Sequence, residues 1–154
     1  MAPPEVKFGT APKVLVAYLE RRGPYSSIGE TMRSLKDWID SKGIEQSGYP
    51  FCVFFDDPNE TPESELRSEA CIPVGRAFEP EGGVKVKELA EVQVAETRHE
   101  GPPEDLSKTY GFLLEGVANQ GYQALGPARE YFMSVSKVEG PGSGFLLQQA
   151  VSKK

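Results

Sequence analysis

The stretch VLVAYLERRGPYSSIGETMRSLKDWIDSKGIEQSG, Val14 to Gly48, decides the fold because its pattern recurs later in the chain. Moved by 78 positions without a gap, it falls on Val92 to Gly126. Val14, Val16 and Ala17 meet Val92, Val94 and Ala95, and Gly23-Pro24 meets Gly101-Pro102. Thr31, Leu35, Gly43 and Gly48 meet Thr109, Leu113, Gly121 and Gly126. A self-match at a fixed period marks a duplicated structural unit.

The local signals inside the stretch repeat too. Val6 to Leu19 reads as a strand region with alternating side chains, closed by Gly23-Pro24. Ile28, Met32, Leu35 and Ile39 then form one helical stripe, and Leu106, Tyr110, Leu113 and Val117 reproduce it. Ser26 or Ser27 with Glu30 suggests a capping box at the helix start, and Gly43 a left-handed stop. Pro50 to Phe55 and Leu66 to Val74 read as a hairpin joined by the acidic turn Asp56 to Ser64. Its counterpart joins Ala128–Val138 to Phe145–Val151 through a glycine-rich turn. Each half therefore reads strand, helix, strand, strand. The expected fold class is α+β, with antiparallel sheets and one helix per half. The repeats run from about 6 to 75 and 84 to 152, linked by Arg76 to Gly83, in a single domain over 1–154. One helix and three strands can hardly enclose a core alone, so the halves are expected to pair about a pseudo-twofold axis and leave a central cleft.

Composition narrows the function. With 38% hydrophobic and 10% aromatic residues, the 154-residue chain is globular. Seventeen basic against 23 acidic residues leave a net charge of −6, which argues against direct nucleic-acid binding and favours cationic small molecules. The N-terminus has no signal-peptide pattern, and no apolar run reaches the ~18 residues of a membrane span. Two cysteines in apolar runs, Cys52 and Cys71, fit buried thiols and a cytoplasmic location. No Cys/His cluster suggests zinc, no glycine loop suggests phosphate, and the Asp56–Glu60 turn lacks the spacing of a calcium loop. The expectation is no cofactor and no metal.

Function should lie where the halves differ. Glu130, inside Ala128-Arg129-Glu130-Tyr131-Phe132-Met133, corresponds to Cys52 if the register continues past the prolines. A strand carboxylate either points to solvent or is buried at the base of a cavity. A cysteine among Phe51, Val53 and Phe54 at the matching position favours the inward reading. Tyr110 replaces Met32 on the buried stripe, and a buried tyrosine hydroxyl wants a partner such as that carboxylate; simple core packing is the alternative. Trp38 is either core edge or pocket wall. His99, the only histidine, sits at a strand end beside Gly101 and reads as a surface residue. Phe112 and Leu114 lie off the buried stripe, where the first half has Ser34 and Lys36, which suggests contact with another surface.

Asp37-Trp38-Ile39-Asp40-Ser41-Lys42, Asp57-Pro58-Asn59-Glu60-Thr61-Pro62, Leu66-Arg67-Ser68-Glu69 and Glu130 after the second helix resemble the GyrI-like proteins. These share a domain with effector-binding modules of AraC-type and MerR-type multidrug regulators. The resemblance implies two tandem SH2-like motifs around a central pocket for bulky, lipophilic, often cationic aromatics. It also implies that Glu130 anchors that pocket, with Tyr18, Trp38, Phe54, Tyr110 and Phe132 as candidate aromatic walls. Gly23-Pro24-Tyr25 matches a family motif, whereas Gly101-Pro102-Pro103 departs from it. Nothing before Val6 reads as a helix-turn-helix, so a stand-alone member is expected. A sequestering binder is the first functional expectation. A hydrolase of cyclopropane-type genotoxins using Glu130 and Tyr110 is the second, and a homodimer or a DNA gyrase modulator acting by protein contact is the third.

Overall fold

The structure, a computed structural model, describes residues 5–56, 59–99, 106–132 and 145–154; the side chains of Leu106 and Phe132 are outside that description. The described chain is α+β, with antiparallel strands and two helices. In order these are β1 (Lys7–Ala11), β2 (Val14–Arg22), α1 (Ile28–Ser41), β3 (Phe51–Phe54), β4 (Arg67–Pro73), β5 (Lys85–Leu89), β6 (Val92–His99), α2 (Leu106–Asn119), β7 (Tyr122–Phe132) and β8 (Phe145–Lys153). The bounds of β1 and α1, each increased by 78, are those of β5 and α2. The duplication read in the sequence is therefore carried by the elements.

Two compact units emerge, Lys13–Ala90 and Met1–Pro12 with Glu91–Lys154. Their division differs from the sequence repeat at two strands, which change places. Val6 to Leu19 is not one strand: it breaks at Pro12, which cannot donate to a ladder, and β1 pairs with β6 of the second unit, Lys7 opposite Glu96. Reciprocally β5, which precedes β6 in the chain, pairs with β2 of the first unit, Lys85 opposite Tyr18. Both registers are the same once 78 is added to one member and subtracted from the other. Each unit is thus four-stranded, β3-β4-β2-β5 and β1-β6-β8-β7.

In the first unit Leu35 and Ile39 of α1 pack on Ala17, Ala70 and Ile72, with Val74 and Val84 at the margin. In the second, Leu113 and Val117 of α2 pack on Ala95, Leu147 and Val151. These are the stripes predicted from the 3.6-residue period. The capping box is not formed. Ser27 is the residue before α1, but no side chain caps the helix; its hydroxyl instead donates to Pro24 O at 2.7 Å, closing the short 3-10 turn Tyr25–Ser27. Gly43 ends the helix at φ 66° as expected.

β7 begins six residues before the expected Ala128. A register irregularity between Ala124 and Ala128, with Gly126 at φ 56°, lets the strand pass Pro127 as a bulge. The first unit keeps only a remnant of this extension, the isolated bridge Gln46–Val74. No helix among the described residues is long and apolar enough to cross a membrane.

Candidate functional site

β7 and α2 together build the most chemically distinctive cluster. Glu130 pairs with Leu147 across β7 and β8, and Leu147 pairs with Thr97 on β6. Leu147 is part of the core that α2 covers, so the row Glu130-Leu147-Thr97 lies on the helix-facing side of the sheet. Glu130 is half-buried. Tyr110, one helical turn before Leu113, donates its hydroxyl to Glu130 Oε2 at 2.9 Å. Burial pushes the Glu130 carboxyl above its ordinary range, while the Tyr110 hydrogen bond and the His99 charge pull it down by less. Desolvation dominates because hydrocarbon replaces water around one side of the carboxylate. Glu130 is thus turned toward α2 and half-buried.

His99 contradicts its reading as a surface residue. It is 3% exposed, its Nδ1 lies 2.7 Å from Thr109 Oγ1, and its ring is 6.3 Å from that of Phe145. The physical reason is strand parity: His99 shares a face with Ala95 and Thr97, both buried against α2. That parity is present in the sequence, whereas proximity to Gly101 points toward the surface. Thr97 Oγ1 is buried with no hydrogen-bond partner among the described residues, leaving a polar atom in the same row as the carboxylate. Gln148, on the opposite face, reaches Glu96 at 3.0 Å.

The repeat shows what is special here. Counting back 78, His99, Thr109, Tyr110 and Glu130 become Arg21, Thr31, Met32 and Cys52. The structural pairing supports the last equivalence, since Cys52 opposes Ala70 where Glu130 opposes Leu147. The first unit therefore lacks both the carboxylate and the hydroxyl that the second unit joins.

The other aromatic candidates occupy separate places. Tyr18 stands opposite Cys71 on the sheet face away from α1, with the Lys87 ammonium 4.1 Å from its ring centre. Lys87 also bonds Glu69 at 2.7 and 2.9 Å. Trp38 packs on Phe78 at 5.0 Å beside Lys42. Phe54 meets the edge of Tyr25 at 4.6 Å, and the Tyr25 hydroxyl donates to Asp56 O at 2.7 Å, so the Gly-Pro-Tyr motif ties the start of α1 to the end of β3. Phe132 closes β7 opposite Phe145, and its side chain lies outside the described residues. Of the predicted site residues, Tyr110 and Glu130 are in contact among the described residues, both within the second unit. The buried Glu69–Lys87 pair was missed, because nothing local in the sequence joins residues 18 apart on β4 and β5.

An α+β chain with a desolvated carboxylate held under a helix by a tyrosine has the features of a small-molecule-binding domain. The chain belongs to the GyrI-like family, whose model, the GyrI-like small molecule binding domain, matches residues 4–142. Among solved structures it is similar to the EcmrR C-terminal domain, at 19% identity and a TM-score of 0.87, covering 98% of this chain and 99% of that one. In the EcmrR–DNA complex the same likeness spans 58% of the EcmrR chain, little more than half of its length. It is also similar to a hydrolase encoded by lin2189 from Listeria innocua (14% identity, TM-score 0.69, 97% and 91% covered). A third is SAV2435 bound to tetraphenylphosphonium (8% identity, TM-score 0.62, 96% and 94% covered). These likenesses concern the fold. No protein of curated function matches in sequence.

Proposed function

We propose that this domain binds bulky, lipophilic, cationic aromatic compounds, with Glu130 as the counter-charge, and that it sequesters them. The observation that carries this reading is the half-buried Glu130 carboxyl, raised by desolvation and held by Tyr110 alone among the described hydrogen bonds. A carboxylate taken from water without a cation is unfavourable, and an arriving cation relieves that penalty. Aromatic surfaces add contact without demanding one shape, and cation–π contact contributes ~0.5–2 kcal/mol. The likeness to SAV2435 bound to tetraphenylphosphonium lends support at the level of fold. Calorimetric titration with tetraphenylphosphonium and with neutral triphenylphosphine oxide tests the reading. Glu130→Gln is expected to weaken the cation by about tenfold or more, the equivalent of ~1.4 kcal/mol, and the neutral compound by less than about twofold. Equal losses would remove the charge from the account.

A hydrolytic role is the second reading, supported by the 2.9 Å Tyr110–Glu130 hydrogen bond. That spacing suits a tyrosine acid and a carboxylate base acting on a strained electrophile such as a cyclopropane. Turnover lost in Glu130→Gln with ligand binding kept would favour it. A third proposal concerns partners. Phe112 and Leu114 of α2 are 39% and 44% exposed, which supports self-association or a protein partner such as DNA gyrase. Sedimentation of a pure monomer whose behaviour is unchanged in Leu114→Lys would refute self-association, and a gyrase pull-down tests the other. The cytoplasm, a reducing compartment, fits Cys52 and Cys71, which are buried and remain thiols.

A further inference from the structure

On the sheet face turned away from α1, the first unit holds a cation of its own. Strand alternation puts Tyr18 and Glu20 of β2, Glu69 and Cys71 of β4, and Lys85 and Lys87 of β5 on this one face, as their registers show. Lys87 Nζ donates to both carboxylate oxygens of Glu69, at 2.7 and 2.9 Å, and lies 4.1 Å from the centre of the Tyr18 ring. Glu69 is 7% exposed, and the Cys71 thiol borders it, with Sγ 4.0 Å from Oε1. Directly opposite Glu69 stands Glu20, whose own partner is Lys85 at 2.8 Å. Each carboxylate thus has a lysine from β5, one pair exposed and the other largely buried.

A carboxylate fork and an aromatic face that converge on one ammonium form the arrangement by which proteins recognise amine ligands. Here the ammonium is tethered to the chain. β5 is an edge strand that pairs with β2 alone, whereas Tyr18 and Glu69 stand on the inner strands β2 and β4. The box therefore does not depend on Lys87 for its position. Glu69 also borders a depression of about 490 Å³, whose other lining residues on this face are Glu20, Arg22, Phe55 and Arg67, so a ligand can reach the carboxylate. The set is confined to this unit. Across the 78-residue repeat, Tyr18 and Lys87 correspond to Glu96 and Gly9. Glu69, which lies between Glu20 and Val53, corresponds to Leu146, which lies between Arg98 and Tyr131. Ring, ammonium and carboxylate are thus replaced together in the second unit.

We propose that Tyr18 and Glu69 form a second ligand site, for primary ammonium groups, and that Lys87 is its built-in occupant, which closes the first unit to amines. A primary ammonium offers N–H donors to both oxygens of Glu69 while its charge rests on the Tyr18 face; a quaternary cation has no donor and cannot do the same. The tether makes the lysine a strong competitor, because an intramolecular group acts at a high effective concentration. Lys87 in this way fixes which carboxylate of the domain an incoming cation finds open. The inference does not rest on the reading of Glu130.

Thermal melts and NMR of the Tyr18 ring test this on the full chain. Lys87→Ala removes the side chain beyond Cβ, and n-propylammonium supplies the deleted atoms. It is expected to raise the melting temperature of Lys87→Ala saturably by about 4 °C or more, with tetramethylammonium and n-propanol each giving less than about 1 °C. The Tyr18 ring signals should shift along the same titration. Wild type, with its box filled, should gain less than about 1 °C from any of the three. Adding Glu69→Gln to Lys87→Ala should abolish the gain. Should Lys87→Ala fail to fold by circular dichroism, Lys87→Met, which keeps the stem, carries the same comparison with ammonium as the probe. Equal gains in wild type and variant, no gain in the variant, a gain that tetramethylammonium matches, or one that survives Glu69→Gln would overturn the proposal.

Discussion

Glu130 sits where two influences oppose each other: burial disfavours its charge, and the Tyr110 hydroxyl stabilises it. The net result is a carboxyl raised above its unfolded value, and the sign of the consequence follows. A group that binds its proton more tightly when folded stabilises the fold below its unfolded pKa, and that contribution is lost as pH rises through the folded pKa. Glu130→Gln removes the charge while keeping an acceptor for Tyr110. Its melting temperature is therefore expected to exceed that of wild type near neutral pH, with the gap closing as pH falls to the ordinary carboxylate range. Thermal melts across that range check it; a gap that is constant with pH would contradict it. Tyr110→Phe acts in the other direction on the acid: with the lowering hydrogen bond gone, Glu130 should titrate at still higher pH, as a carboxyl carbon NMR titration would show.

At the scale of elements, the close packing around α2 gives the sharpest stability prediction. A Cβ placed on Gly116 would lie 2.8 Å from Val6 Cγ2 and 3.2 Å from its Cβ. Val6 leads into β1, and its β-branched side chain has little freedom to move aside. Alanine gains about 1 kcal/mol over glycine within a helix, but overpacking costs about 1–3 kcal/mol. Gly116→Ala should thus be neutral to destabilising by up to ~2 kcal/mol, and amide exchange should quicken along β1 before elsewhere. Leu113→Ala, at a fully buried position, should cost about 2–5 kcal/mol in urea unfolding. These elements were readable from sequence because a helical stripe is a local signal, and Leu35 and Leu113 mark it twice. The exchange of β1 and β5 was not readable: Pro12 marks the break, but the choice of β6 as partner for β1 is made by contacts nearly ninety residues away. The burial of His99 was readable, from alternation with Ala95 and Thr97, and was outweighed by a nearby glycine. Glu130 was singled out by comparison of the halves and by the family resemblance, and the separate settings of Tyr18, Trp38 and Phe54 were not legible, since aromatic type says nothing about direction.

For the molecule as a whole, duplication followed by divergence accounts for the main facts. Two copies of one pattern supply two similar scaffolds, and selected positions, Cys52 against Glu130 and Met32 against Tyr110, differ in chemistry while their backbones match. The chain carries a net charge of −6, so tetraphenylphosphonium should associate more slowly as salt is raised, with dissociation little changed, in stopped-flow fluorescence. The central claim is that Glu130 is a desolvated acid that an incoming cation ionises. Titrating its carboxyl carbon by NMR with and without tetraphenylphosphonium tests this directly. The free protein should show Glu130 above the usual glutamate range, and the complex should show it markedly lower. A titration in the ordinary range that the cation leaves unmoved would contradict the account.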